Sequence, residues 1–407
     1  MKTTLFILFL ATAWNSFAQH PTCNGSRYIN PTYTVDATLG ITFGNSTSYS
    51  GTNADLLLDF FEPSGDVAVN RPLIILAFGG SFIGGARTDM HDFCNYYAAH
   101  GYTCAAIDYR LYDGPLFPLP DSVTMTDEVL KAVSDMKAAV RFFREDAATT
   151  NTYKVDTNLI FVGGISAGAI VASHVGMLDS TDVIEAYIDP LISANGGWTG
   201  NSSTNTQYGD GVSGILNYSG ALRKASYIDA NDPPLFSVHD DGDDVVPYAN
   251  GQATIFTIPI ISLEGSSLMH QEAQSDGVNS ELITIANSSG HVSYFGNQVS
   301  TDTILTRSLN FLYPIVCGSF ASITEQTAAI DFKMYPNPSN SSVTIYIENP
   351  AEFGIQLYDV AGRVITSTET TAGKSTIFVD GLTPGAYFVQ LSNESLGKSE
   401  LKQLLVF

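Results

Sequence analysis

The feature that most constrains this chain is Gly164-Ile165-Ser166-Ala167-Gly168, set directly after the apolar run from Leu159 to Gly163 and before a helical pattern. A serine between glycines at this spacing suits a tight strand-to-helix turn. The small flanking residues let the backbones pass closely, and the hydroxyl is left standing above the sheet. A serine hydroxyl is a weak nucleophile at neutral pH, so chemistry at Ser166 requires a base in contact and a third group to orient that base. Of the seven histidines, His291 follows a predicted strand on the small-residue loop Ser289-Gly290-His291-Val292-Ser293, from which an imidazole reaches across the sheet top. His174, two turns beyond Ser166, reads as a surface or packing residue, and His20, His91, His100 and His270 sit in no motif.

The elbow lies inside a regular alternation. Strands are predicted at Asp55 to Phe61, Pro72 to Phe78, Tyr102 to Asp108, Gly214 to Tyr218, Leu235 to His239 and Leu282 to Ala286. Helices fall at Met90 to His100, Asp127 to Arg144 and Thr303 to Leu312. The continuous apolar runs suit strands covered on both faces, and Val129, Val133, Met136, Val140 and Phe143 make one helix face. Together these predict an α/β fold with a mostly parallel central sheet flanked by helices. A polar segment from Ser193 to Gly211, carrying Trp198 and Tyr208, reads as an excursion over the sheet, with Phe82, Trp198 and Tyr208 as substrate-pocket candidates. From residue 333 the texture changes to short alternating strands and tight turns, which predicts a small all-β, Ig-like sandwich after a linker at 321–332.

The start, Met1-Lys2 followed by the short apolar run Leu5 to Ala11 and then Ser16-Phe17-Ala18, predicts a secretory signal peptide over residues 1–18. No later segment has the length of a membrane span, so no integral membrane segment is expected. In an oxidising compartment the four cysteines allow three pairings. Cys23 with Cys317 would staple the ends of the domain at 19–320, and Cys94 with Cys104 is the local pair, with free buried thiols as the alternative. No Cys/His cluster suggests a metal, and no cofactor is expected. With 41 Asp+Glu against 18 Lys+Arg, nucleic acid is excluded as a partner.

Two resemblances follow from the motifs. The elbow, the loop Phe78-Gly79-Gly80-Ser81-Phe82-Ile83-Gly84-Gly85 and the run Gly101-Tyr102 to Ile107-Asp108-Tyr109-Arg110-Leu111 resemble the carboxylesterase and hormone-sensitive-lipase side of the α/β-hydrolase superfamily. The first loop is similar to the HGGG-type loop, with Phe78 in the histidine position. The resemblance implies that the backbone N–H groups of Gly80, Ser81 and Ala167 form an oxyanion hole. His239-Asp240-Asp241-Gly242-Asp243-Asp244-Val245-Val246-Pro247 resembles the family's His-Gly-x-x-Asp-x-x-Val-Pro loop, which implies Asp243 as the acid, with Asp244 beside it as the alternative. The four aspartates lack the spacing of a calcium-binding EF-hand loop. The tail resembles the type A C-terminal sorting domain of the type IX secretion system. It carries Tyr335-Pro336-Asn337-Pro338, Leu357 to Arg363, Leu382 to Tyr387 and the ending Lys402-Gln403-Leu404-Leu405-Val406-Phe407. That resemblance implies export across an outer membrane by the type IX machinery; a carbohydrate-binding or adhesive sandwich is the rival.

The expectation is therefore a secreted or cell-surface serine esterase with Ser166, Asp243 and His291 as its triad, acting on short-chain, aryl or polysaccharide-borne carboxylic esters. The alternatives are a lipase or serine peptidase on the same fold, and a non-catalytic surface binding protein.

Overall fold

The computed structural model describes residues 20–318, 332–347, 353–359, 363–369, 373–393 and 398–407. The expected signal peptide, all of the expected linker except Phe332, and the turn at 360–362 lie outside the described residues. The chain divides into two compact units, Met1–Gly318 and Ser319–Phe407.

The first unit is built on an eight-stranded sheet. Its strands are β1 (Val35–Thr47), β2 (Asn53–Pro63), β3 (Arg71–Ala77), β4 (Thr103–Ile107), β5 (Val155–Ile165), β6 (Ile215–Tyr218), β8 (Leu235–Asp240) and β11 (Ser280–Ile285), in the spatial order β1-β2-β4-β3-β5-β6-β8-β11. The pairs β1/β2 and β2/β4 are antiparallel; every other pair is parallel. Beside this sheet, β7 (Ala221–Leu222), β9 (Asn250–Ile255) and β10 (Ile258–Gly265) form a small three-stranded one. The helices are α1 (His91–Ala99), α2 (Ser122–Ala148), α3 (Ala167–Met177), α4 (Ile188–Ala194), α5 (Ser266–Ser275) and α6 (Gln298–Cys317).

All seven residues of β3 and all five of β4 are buried, as continuous apolar runs covered on both faces should be. Each Leu or Ile so buried contributes about 1.5–3 kcal/mol, so the centre of the sheet is its rigid part. The long helix α2 starts where Asp121 accepts the Thr124 N–H at 2.8 Å, satisfying one orphan donor of its first turn. The parallel topology carries the C-terminal ends of β3, β5, β8 and β11 to one edge of the sheet, where the candidate residues lie.

Cys23 and Cys317 are joined by a disulfide that closes a span of 294 residues. Cys94 and Cys104 are not. Their sulfurs are 2.9 Å apart as free buried thiols, beyond the S–S bond length of about 2.05 Å. Cys104 is fixed in the β4 ladder and Cys94 on the packed face of α1, so the two meet in a sulfur contact inside the core. Burial pushes the Cys94 thiol well up, keeping it protonated and unreactive.

The second unit has its own core, including Val343, Ile345, Ile355, Leu357, Val389 and Leu404, between two sheets. One contains β12 (Phe332–Tyr335), β13 (Ser342–Ile347) and β16 (Lys374–Phe378); the other contains β14 (Gly354–Tyr358), β15 (Val364–Glu369), β17 (Gly385–Asn393) and β18 (Lys398–Val406). Buried and partly exposed residues alternate along β13 and β14, as expected for strands with one covered face.

Because the Cys23–Cys317 bridge constrains a very long loop of the unfolded chain, Cys23→Ser should lower the unfolding free energy of the first unit by about 3–5 kcal/mol. The check is a fall in its urea midpoint, with the same fall in wild type under reducing conditions.

Candidate active site

The elbow is a close contact between backbones. At Gly168 a Cβ would lie 2.1 Å from the Ala77 carbonyl oxygen, and at Gly164 one would lie 2.5 Å from the same atom. Only glycine lets the first turn of α3 descend this far onto the end of β3. Ser166, between them, is held at φ 56° and ψ −116°, a conformation costly for a residue with a Cβ. Its N–H donates to the Tyr218 carbonyl at 2.8 Å. These contacts leave Oγ pointing away from the sheet.

His291 meets that oxygen. Its Nε2 lies 2.7 Å from Ser166 Oγ, and its Nδ1 lies 2.6 Å from Asp243 Oδ2. The geometry is satisfied by a neutral imidazole whose Nδ1–H donates to the carboxylate and whose Nε2 accepts from the serine. Asp243 Oδ1 accepts the N–H groups of Val245 and Val246 at 2.8 and 3.0 Å. Burial alone would raise the Asp243 pKa. Hydrogen bonds from His239 and His291, together with the Val245 N–H, instead hold its carboxyl far below the usual range. Asp244, the sequence alternative, is exposed, and its carbonyl accepts from Thr254.

The other two aspartates of the loop fasten the segment carrying His291. Fully buried Asp240 accepts both the N–H and the hydroxyl of Ser293, the former at 3.0 Å. Asp241 accepts the N–H groups of Asn287 and Ser288 at 3.0 and 3.1 Å. Between these anchors Val292 sits at φ 51°, an outlier for a β-branched residue that the Asp240 bonds hold in place.

Behind Asp243 lies a second histidine. His239 is fully buried, with Nε2 3.1 Å from the Val246 carbonyl and 3.3 Å from Asp243 Oδ2. Both neighbours are acceptors, so Nε2 carries a proton. Its Nδ1 faces Ser266 Oγ at 2.7 Å, and Ser266 in turn accepts from Asn217 at 3.0 Å. This chain was not legible in sequence, because Asn217, His239 and Ser266 come from β6, β8 and α5.

The loop after β3 passes directly against the elbow. A Cβ on Gly79 would be 3.2 Å from Ser166 Cβ. Gly80, Ser81 and Phe82 all have positive φ, and Ile83 and Gly84 both donate to the Gly80 carbonyl at 3.1 Å. The N–H groups of Gly80, Ser81 and Ala167 donate to nothing among the described residues. Phe78, in the place of a bracing histidine, stacks on Tyr109 at 4.4 Å, and the Tyr109 hydroxyl donates to the Phe78 carbonyl at 2.9 Å.

A cleft opens at Ser166. Phe82 lines it; Trp198 and Tyr208 do not. The segment at 193–211 is held elsewhere, because Ser202 bonds Asp135, Ser134 and Arg110, and its carbonyl accepts from Asn45 of β1. That segment therefore lies against α2 and β1 instead of over Ser166. The wall opposite α3 comes from β9 and β10, which the sequence patterns did not reveal. His174 is buried in the cleft wall, where its Nδ1–H donates to the Ile170 carbonyl at 2.8 Å and its Nε2 accepts the Arg223 N–H at 3.1 Å. Burial pushes its pKa down to about 4, so the ring is neutral.

A serine elbow at the C-terminal edge of a mostly parallel sheet, with a histidine and a carboxylate from later strand ends beside it, defines an α/β-hydrolase. Residues 58–199 match the BD-FAE family, and residues 333–406 match the secretion system C-terminal sorting domain. The first unit therefore has the α/β-hydrolase fold, and the C-terminal sorting domain marks the chain for type IX secretion to the cell surface or beyond. No curated protein matches it. Among solved structures, the thermophilic esterase Est2 of the Planctomycetes species Thermogutta terrifontis shares the fold. Its propionate-bound form aligns with a TM-score of 0.50 at 19% identity, covering 69% of this chain and 96% of that one. Its native form gives 0.50 at 18%, covering 70% and 95%, and the form phosphoramylated by tabun gives 0.50 at 20%, covering 69% and 96%. Among the described residues no helix is long and apolar enough to cross a membrane.

Two outcomes are expected. Asp240→Ala frees the loop that aims His291, so kcat should fall about 10–100-fold with KM little changed, and Asp240→Asn should recover part of the loss. For His174 the folded pKa lies below the unfolded value near 6.5, so the unfolded state binds the extra proton between them. Stability is thus lost as pH falls from about 6.5 towards 4, by on the order of 3 kcal/mol from this group. Denaturation curves across that window should be flatter in His174→Asn than in wild type.

Proposed function

We propose that this protein is an exported serine esterase that hydrolyses carboxylic esters through an acyl-enzyme. The observation that carries the reading is the continuous contact Ser166 Oγ to His291 Nε2 at 2.7 Å and His291 Nδ1 to Asp243 at 2.6 Å. Ser166 attacks the ester carbonyl while its proton passes to His291 Nε2, and ionised Asp243 holds the imidazole in the right tautomer and stabilises the resulting imidazolium. The oxyanion forms against the N–H groups of Gly80, Ser81 and Ala167, which donate to no other described group. His291 then gives its proton to the departing alcohol. A water activated by the same imidazole cleaves the acyl-serine and frees the carboxylic acid.

The sequence-based expectation of a short-chain, aryl or polysaccharide-borne ester rested on a polar segment over Ser166. With that segment packed against α2, the choice of acyl group passes to the cleft wall.

Ser166→Ala should reduce kcat on a nitrophenyl ester by roughly 10⁴-fold or more while leaving the melting transition in place. A fluorophosphonate should label wild type once, at the peptide containing Ser166. Full residual turnover in the variant would overturn the assignment, and absence of labelling would favour a non-catalytic binding protein on this scaffold.

A further inference from the structure

The cleft follows one face of α3. Its lining positions there are Ser166, Ala167, Ile170, His174 and, just past the helix end, Leu178, spaced by about four residues so that they stack along the axis. From Ser166 to His174 the axis advances roughly 12 Å. The facing walls are hydrocarbon: Met125, Val129 and Leu130 from α2, and Ile255, Ile261 and Leu263 from the β9–β10 hairpin.

Most side-chain polar atoms that reach this wall are already used, the buried Arg223 Nε, which bonds nothing among the described residues, being an exception. The Thr126 hydroxyl donates to the Ser122 carbonyl at 2.7 Å and the Thr254 hydroxyl to the Asp244 carbonyl at 3.0 Å. Both nitrogens of His174 are engaged with backbone, as described above. The Tyr227 hydroxyl donates to Glu185 at 3.3 Å, and the Arg223 guanidinium is bound to Glu185 at 2.8 Å and to the Ser262 carbonyl. Along the hydrocarbon positions Met125, Val129, Leu130, Ile255, Ile261 and Leu263, a hydroxyl brought in on a substrate would leave water and find no partner in exchange.

Resting on the esterase reading above, we propose that the acyl group this site takes is an unsubstituted aliphatic chain of medium length, laid along α3 from Ser166 towards Leu178. In staggered zigzag, with carbon–carbon bonds of about 1.5 Å, eight carbons span roughly 9 Å, which the run to His174 accommodates. While the chain stays inside the cleft, each added methylene raises kcat/KM roughly fourfold at most.

The test compares kcat/KM for nitrophenyl acetate, butyrate, octanoate and dodecanoate and for a hydroxybenzoate ester, using the purified protein. Octanoate is expected to exceed acetate at least tenfold and to exceed the hydroxybenzoate. An optimum at acetate, or a hydroxybenzoate faster than octanoate, overturns the proposal. Ile170→Phe fills the cleft one turn beyond Ser166, and Val129→Phe fills it from α2. Each should lower the octanoate-to-acetate ratio at least tenfold, with melting curves confirming the fold. A ratio unchanged in both variants overturns the proposal even where wild type prefers octanoate. Acetate preference with fluorophosphonate labelling intact defeats the chain-length inference alone, whereas loss of labelling and of all ester turnover defeats the esterase reading and this inference with it.

Discussion

The descent of α3 onto the end of β3 is the contact on which the rest of the site depends. With Gly168 and Gly164 both against the Ala77 carbonyl, the backbone after β5 turns so sharply that Ser166 is left in a strained conformation with its oxygen clear of the sheet. The same closeness brings the loop at Gly79 to within a Cβ's width of Ser166, so the serine and the N–H groups beside it, unpaired among the described residues, are positioned by a single packing event. A methyl group at Gly168 would have to displace main chain on both elements, because the atoms it meets belong to the buried β3 strand and the residue after it. The buried centre of the sheet supplies the rigidity that sustains the strain.

Electrostatics organise the opposite side of the site. The chain has a formal net charge of −23, and the end of β8 with the turn after it concentrates four carboxylates, Asp240, Asp241, Asp243 and Asp244. Three of the four accept hydrogen bonds from local donors. Asp240 and Asp241 take N–H groups from the His291 segment, and Asp243 takes two backbone N–H groups, His291 and the proton on His239. Each carboxylate thereby converts a mobile loop hydrogen bond into a charge-assisted one. The aspartates serve the imidazole: one contacts it, and two hold the chain on which it sits.

The two units solve stability separately. The second has a core of strand residues facing one another between two sheets, and its last strand, β18, pairs along its length with β17. The first combines a large sheet core with a covalent tie between its ends at Cys23 and Cys317. Such a tie acts mainly on the unfolded chain, which suits a protein that works outside the cell, beyond the reach of chaperones and cytosolic reductants.

What the sequence made legible follows from where the determinants are local. The elbow, the strands β3, β5 and β8 and the His291 loop are each encoded within a few consecutive residues, as a run of apolar side chains beside small or acidic ones. The missed elements lack that property. β1 is a mostly exposed strand paired on one side only, interrupted by two register shifts and carrying Gly40 and Gly44, so it shows no clean alternation. β9 opens Asn250-Gly251-Gln252, and β10 contains Pro259 with partly exposed isoleucines, which reads as loop until the Arg223, Glu264 and Pro247 contacts around it are known. The size of Trp198 and Tyr208 suggests a place at the site, whereas the position of their segment is decided by Ser202 meeting Asp135 and Arg110, residues 67 and 92 positions away. Chemistry that resides in one turn of chain can be read directly; a wall assembled from α2, α3 and a distant hairpin becomes visible only once packing has brought them together. Substrate choice belongs to the second kind, because the residues that line the cleft come from distant elements and the motif supplies only Ser166 and Ala167 to it.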